Sequence, residues 1–433
     1  MTPKTSLLFS FFLKPRRILL WFSIILALFI VQHLLSNTTT PHKIGDDNNN
    51  TKPRFLYRSH FRDNPDLEYE KRISDALQGI ERTVLTENNG EILAEERIWQ
   101  IARDEEQRGD DSKAFERRNR VWRYSVRFPQ YHPQGLWVGW LTMAGAKLMT
   151  DDKAINFIDN VLSSVPEIAQ IYHSYPYYVL RTDLLRYLLL WYYGGFYADM
   201  DVFPARPIKD CPDLKPVFFS NQKQAQDFGN ISLVVGIELD EPYISDKGMR
   251  EWHWTRRYGF LQYTMYSPRR FSPVLREIVT RVMSHTKQHN DHVASRYLFG
   301  YSEREILGIS GPDVVTDAVL DVLSATLPPT HRLMNISMEK DAGIDNLPIS
   351  SVTGETLKRV TWAPFHGIDK TVCVDDDEAL QKGTMGGICV LPVNAWGNGQ
   401  RHSGSEDFGS ERACVNHRFR GSWKKGWWES HFG

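Results

Sequence analysis

The stretch "YYVLRTDLLRYLLLWYYGGFYADMDVF", Tyr177 to Phe203, decides how this chain is read. A leucine-rich run breaks at Gly194 and Gly195, and two aspartates follow, one residue apart, inside an apolar segment. "DLLRYLLLWYY" predicts a helix apolar enough to be mostly buried. The glycines end it, because a helix C-terminus favours the left-handed conformation that glycine adopts freely. "FYADMDVF" then alternates Phe196, Ala198, Met200 and Val202 against Tyr197, Asp199, Asp201 and Phe203. This predicts a strand with both carboxylates on one side, about 6 to 7 Å apart, stopped by Pro204 and Pro207. Helix, tight turn and acid-bearing strand describe an α/β fold with ligands at the sheet edge.

Carboxylates this close repel and are costly to desolvate unless a cation offsets them. Hard oxygen ligands suit Mn²⁺ or Mg²⁺, which keep several waters and bridge to a diphosphate. The plainer reading of a D-x-D is a pair of acids on a solvated strand end. Asp183 and Arg186, three apart on the preceding helix, share a face that is otherwise Leu, Tyr and Trp. They make either a simple helix ion pair or a polar site. In the second case Arg186 meets phosphate or sugar oxygens and Asp183 takes sugar hydroxyls.

Working outward, 433 residues suffice for one large domain or two ordinary ones with extensions. Lys and Arg number 52 against 53 Asp and Glu, so nothing favours a nucleic-acid partner held by bulk charge. Ile18 to Val31, "ILLWFSIILALFIV", is uncharged, and Leu34 and Leu35 prolong the run. Lys4, Lys14, Arg16 and Arg17 precede it. The expectation is a cytosolic tail over 1–17 and a transmembrane signal anchor over 18–35, with the C-terminus across the membrane. A cleaved signal peptide is the alternative, though no A-x-A-like site follows. The polar segment "SNTTTPHKIGDDNNNTKPR" opens a stem assigned to 36–92, and a catalytic domain is assigned to 93–433. Sequons stand at Asn37, Asn49, Asn230 and Asn335. Cys211, Cys373, Cys389 and Cys414 could form two disulfides in an oxidising compartment, with three pairings open. Their spacing does not suit zinc.

Within this frame, helices are expected at Leu67–Ile80, Ala94–Glu106 and in "DDKAINFIDNVLSSV", with Ile155, Ile158, Val161 and Leu162 as the apolar stripe of the last. "GPDVVTDAVLDVL" predicts another, with Pro312 in its first turn and Val314, Val315, Ala318, Val319 and Val322 buried.

The segment from Thr150 to Val202 resembles the sugar-binding region of glycosyltransferase family 32, with R/K-x-D-L-L-R-Y and then G-G-x-Y-x-D-x-D. "RIWQI", Arg97 to Ile101, resembles that family's first strand, without its usual proline. "SGPDVVTDAVL", Ser310 to Leu320, resembles its T-G-P-x-x-x-T-D-A-V. "NHRFRGSW", Asn416 to Trp423, resembles its closing H-x-x-x-G-S-W. The resemblance implies a GT-A type, Rossmann-like nucleotide-binding fold and sugar transfer with retention at the anomeric carbon. By position it gives Asp199 and Asp201 to the metal and donor diphosphate, with His417 as a third metal ligand. Asp183 and Arg186 contact the donor sugar, Tyr197 lines that pocket and Trp99 stacks on the nucleobase. Trp423, Trp427 and Trp428 stack on sugar or pack the last helix.

What the resemblance implies for function is a metal-dependent, retaining glycosyltransferase of the Golgi membrane, like an α-1,6-mannosyltransferase. It moves mannose from GDP-mannose to a glycoprotein glycan and assembles in complexes with other Golgi glycosyltransferases. Alternatives are a mannosyltransferase acting on inositol phosphoceramide and a non-catalytic lumenal protein that binds glycan.

Overall fold

The computed structural model describes residues 59–90, 94, 97–104, 127–128, 141–142, 147–206, 208–219, 231–296, 300–341, 358–374 and 386–419. The apolar segment 18–35, the sequons at Asn37, Asn49 and Asn230, and Trp423, Trp427 and Trp428 lie outside these residues. Among the described residues no helix is long and apolar enough to cross a membrane.

The described residues form twelve strands: β1 (Ile98–Ile101), β2 (Arg127–Phe128), β3 (Leu141–Thr142), β4 (Lys147–Met149), β5 (Gly195–Ala198), β6 (Val202–Pro204), β7 (Ile231–Asp240), β8 (Tyr258–Phe260), β9 (Thr264–Ser267), β10 (Val372–Val374), β11 (Gly387–Leu391) and β12 (Val415–His417). Eight make one mixed sheet in the order β10-β11-β7-β9-β5-β1-β4, with β8 paired to β7. β1 runs parallel to β4 and β5, whereas β9 runs antiparallel to both β5 and β7. The fold is thus α/β around a mixed sheet, as expected in class. β1 corrects the helix expected at Ala94–Glu106. Its four residues, "IWQI", are all buried, and a strand covered on both faces shows no alternation to distinguish it.

Four helices matter most: α1 (Leu67–Glu87), α2 (Tyr178–Tyr193), α3 (Pro273–Arg296) and α4 (Pro312–Thr326). α1 begins at Asp66, whose side chain accepts from the Tyr69 N–H at 3.0 Å. Tyr69, Ile73, Leu77 and Ile80 form its buried stripe and join the main core, so the folded part takes in residues of the interval assigned to a stem. In "DDKAINFIDNV" the α-helix Asp151–Asn156 widens into a π-turn at Phe157–Val161. The wider turn moves the buried stripe to Ala154, Phe157, Ile158 and Leu162, leaving Ile155 and Val161 exposed.

α2 has no polar face. Leu180, Leu184, Leu185, Leu188, Leu189, Leu190 and Trp191 are all buried, and so are Asp183 and Arg186. It stops where the Gly194 N–H donates to the Leu190 carbonyl at 2.9 Å. Gly194 has φ 66° and Gly195 φ 97°, the region in which a side chain is strained. Space is lacking as well: a Cβ on Gly194 would meet that of Ala94 at 2.4 Å, and one on Gly195 the Arg97 carbonyl oxygen at 2.7 Å. The two glycines therefore turn the chain from α2 directly into the centre of the sheet.

Disulfides join Cys211 to Cys414 and Cys373 to Cys389. The second links residues facing each other across β10 and β11. The first fixes the chain immediately before β12, which pairs antiparallel with β6.

Candidate active site

The D-x-D does not lie within a strand. β5 ends at Ala198, Asp199–Met200–Asp201 turns, and the Val202 N–H closes the turn on the Asp199 carbonyl at 3.0 Å. This corrects the continuous strand expected from Phe196 to Phe203. The turn gives the two carboxylates different partners.

Asp199 faces α2. Its Oδ1 accepts from Arg186 Nη2 at 3.1 Å and from the Tyr197 hydroxyl at 2.5 Å. Arg186 Nη1 lies 2.6 Å from Asp183 Oδ1, and its guanidinium sits 5.1 Å from the Tyr197 ring centre. The Ser310 hydroxyl donates to Asp183 Oδ2 at 2.8 Å. Tyr187 donates to the Ser310 carbonyl at 2.6 Å and also touches Gln262 Oε1. Burial pushes the Asp183 carboxyl up to about 6, against the opposing pull of Arg186 and Ser310. Burial works against the Arg186 charge too, but Asp199, Tyr197 and Asp183 hold the guanidinium well above its ordinary value. The i,i+3 pair is therefore one part of a buried polar network that opens onto Asp199.

Asp201 faces the other way. Its Oδ1 lies 3.1 Å from His417 Nε2, and its backbone carbonyl accepts from the Arg418 N–H at 3.1 Å. β12 brings His417 there by pairing it with Val202. The imidazole stacks on Tyr263 at 4.1 Å, and Tyr263 donates to the Trp396 carbonyl at 3.2 Å. Two residues distant in sequence thus meet beside the turn. Asp199 and Asp201 side chains keep 28% and 23% exposure, so both remain accessible to a ligand.

Trp99 does not join this cluster. It pairs in register with Tyr197, yet its indole N–H donates to the Gly194 carbonyl at 2.9 Å, at the opposite end of β5. It lines a separate cavity of about 470 Å³ with Arg97, Met149, Phe157 and Tyr193. Ser310, Gln262, Tyr187 and Tyr263 were not read as site residues from the sequence. Ser310 opens the "SGPD" segment and Tyr187 follows Arg186 directly, whereas nothing local marked Gln262 or Tyr263.

Residues 119–219 match the glycosyltransferase sugar-binding region containing the DXD motif. The match includes Asp183, Arg186, Tyr197, Asp199 and Asp201, and leaves out Trp99, Ser310 and His417. The chain is 27% identical to the initiation-specific alpha-1,6-mannosyltransferase of Candida albicans, over 64% of this chain and 62% of that protein. It is 25% identical to the Saccharomyces cerevisiae protein of the same name, over 64% of this chain and 70% of that one. Inositol phosphoceramide mannosyltransferase 1 of Schizosaccharomyces pombe is 32% identical, over 17% of this chain and 25% of its own length. The chain therefore spans less than two thirds of the Candida relative.

The D-x-D turn and β12 together offer oxygen donors from Asp199 and Asp201 and a nitrogen from His417, a set suited to Mn²⁺ or Mg²⁺. His417 Nδ1 is buried without a hydrogen-bond partner among the described residues. Among those residues no three of His, Cys, Asp and Glu are gathered as a metal site. The donor set fits an ion that draws its remaining ligands from water and a diphosphate.

Proposed function

We propose that this chain is a metal-dependent, retaining glycosyltransferase of GT-A type that moves mannose from GDP-mannose to a glycoprotein glycan. The observation that carries the reading is the buried Asp183–Arg186–Tyr197–Asp199 network, open beside Asp201 and His417. The likeness to the mannosyltransferases supports the sugar. The short reach of the inositol phosphoceramide match, 17% of the chain, favours a glycoprotein acceptor over a glycolipid. A binding module would have no use for a diphosphate-facing Arg–Asp network, which speaks against the non-catalytic alternative.

In this reading Asp183, 1% exposed and engaged by Arg186 and Ser310, acts by holding the Arg186 guanidinium on the donor-sugar side of the site. Arg186 supplies positive charge towards the departing β-phosphate, where negative charge grows as the glycosidic bond breaks. Tyr197 holds Asp199 in place. Asp199, Asp201 and His417 would hold the divalent ion, which when bound supplies Lewis-acid stabilisation of the leaving diphosphate. The acceptor hydroxyl attacks from the face the phosphate leaves, and its proton passes to that phosphate. Trp99 stays a candidate for the nucleobase contact. The two disulfides support an oxidising compartment, and segment 18–35 supports a Golgi signal anchor with the catalytic domain on the lumenal side. A complex with other Golgi glycosyltransferases belongs to the same proposal.

The test is donor turnover with Mn²⁺ in wild type, Asp199→Ala and Asp201→Ala, with and without EDTA. Loss of turnover in both variants and on chelation is expected. Either variant at wild-type rate, or activity indifferent to EDTA, rules out the metal role.

A further inference from the structure

Strand β7 is ten residues long and buried at every position but one, and that one is Glu238. It is the extra residue of a β-bulge: Ile237 pairs with Phe260 and Leu239 with the adjacent Gly259, leaving Glu238 without a partner across the ladder. Bulges re-aim a side chain and gather beside functional sites. The Glu238 carbonyl is occupied by Gln400 Nε2 at 2.5 Å, which fixes the bulged backbone.

The register shows where Glu238 emerges. Tyr266 of β9 pairs with Phe196 on one side and Val234 on the other, so these two stand level in the sheet. β5 and β7 both run antiparallel to β9 and hence parallel to each other. Asp199 follows Phe196 by three positions and Glu238 follows Val234 by four. Glu238 thus leaves the sheet at the level of the D-x-D turn, two strand spacings or about 10 Å to its side. Asp199, His417 and Asp313, in the first turn of α4, all lie close enough to perturb it.

Among the described residues nothing hydrogen-bonds to or pairs with the Glu238 carboxylate. Although part of the residue reaches the surface, the atoms crowding its carboxyl strip it of water and push it up to about 7, with His417 opposing and Asp313 and Asp199 adding to the rise. A carboxylate so placed is stabilised by neutral donors such as sugar hydroxyls. In the donor reading given above the donor is held on the α2 side, where Arg186 is ion-paired with Asp183 and Asp199. A group displaced by about 10 Å at the same level lies beyond one hexose ring, where the second saccharide has to enter.

We propose that Glu238 binds the acceptor: its carboxylate takes hydrogen bonds from hydroxyls of the incoming saccharide and orients it towards the donor sugar. This assignment rests on the donor reading given above.

The experiment measures three quantities in the full chain, wild type against Glu238→Gln and Glu238→Ala. They are transfer from GDP-mannose to a mannose-terminated oligosaccharide, hydrolysis of GDP-mannose by water, and calorimetric binding of GDP with Mn²⁺. Transfer at sub-saturating acceptor should fall about 10- to 100-fold in the Ala variant, with the isosteric Gln variant between it and wild type. Hydrolysis and GDP affinity should not change. Transfer at wild-type level, or transfer and hydrolysis falling in parallel, overturns the assignment. Wild type that binds no GDP with Mn²⁺ overturns the donor reading and this assignment with it. Normal GDP binding together with unimpaired transfer in both variants overturns the acceptor role alone.

Discussion

Arg186 and Asp199 join a buried helix to the D-x-D turn through an ion pair of 3.1 Å, and the same guanidinium holds Asp183 at 2.6 Å. Asp183 is only 1% exposed, so the arginine is what makes a carboxylate tolerable there. Arg186→Ala should lower the free energy of unfolding by about 3–5 kcal/mol, read from urea titration. Arg186→Lys keeps the charge but not the two-pronged geometry, so it should lose less stability while donor turnover still falls. An Ala variant as stable as wild type would contradict the buried network.

Gly194→Ala and Gly195→Ala should each cost more than about 3 kcal/mol or prevent folding, because strain at positive φ adds to contacts of 2.4 and 2.7 Å. Gly79→Ala is the control. It lies inside α1 with nothing within 4 Å of the added Cβ, so a gain of about 0.5–1 kcal/mol is expected. Thermal unfolding of the three variants orders them.

How far the sequence was legible follows from the range of the interactions. The glycine break after α2 was readable because it is a local backbone event marked by residue type. The end of β5 was not, since alternation continues through Met200 and Val202 while the chain turns after Asp199, whose N–H makes the last bond to the Tyr263 carbonyl at 2.9 Å. Asp183, Arg186 and Asp199 were readable from motif spacing. Ser310 reaches Asp183 across 127 residues, and no nearby pattern announces such a contact. Glu238 escaped for a related reason, because the bulge that carries it is defined by how β7 pairs with β8, some twenty residues further along the chain.

The two disulfides should act differently. Replacing Cys211 and Cys414 by Ser removes a link between residues 203 apart, whereas Cys373 and Cys389 are 16 apart. Chain-entropy reasoning gives the first the larger effect, about 5 kcal/mol against about 3 kcal/mol for the second. It also frees the chain just before β12, so binding of GDP with Mn²⁺ should weaken for the first pair and hold for the second. Calorimetry on both double variants checks this.

His285 sets part of the acid sensitivity. Its Nδ1 lies 3.0 Å from the Gly308 carbonyl, its ring stacks on Phe61 at 4.7 Å, and burial lowers its pKa from 6.5 to about 3, helped by Arg281, Arg62 and His60. Between those values the unfolded chain binds a proton that the folded one refuses. This contribution is complete above pH 6.5 and is lost at about 1.4 kcal/mol per unit as pH falls towards 3. Asp183 works in the opposite sense, since its raised carboxyl lets the folded chain take a proton first. Comparing wild type with His285→Phe cancels that term, and the variant should lose stability less steeply below pH 6.5. Parallel curves would refute the assignment.

The anchoring of β12 has a mechanical consequence. Cys414 is a pivot bonded to Cys211, and His417 stands three residues beyond it, at the tip of an arm no longer than about 10 Å. A pull on Arg418 and Phe419 is shared by Asp201, through the imidazole and the Arg418 amide, and by the rings of Phe203 and Tyr263 that those two residues touch. Tension on the last described residues of β12 and beyond it to Phe419 would therefore register at the D-x-D turn.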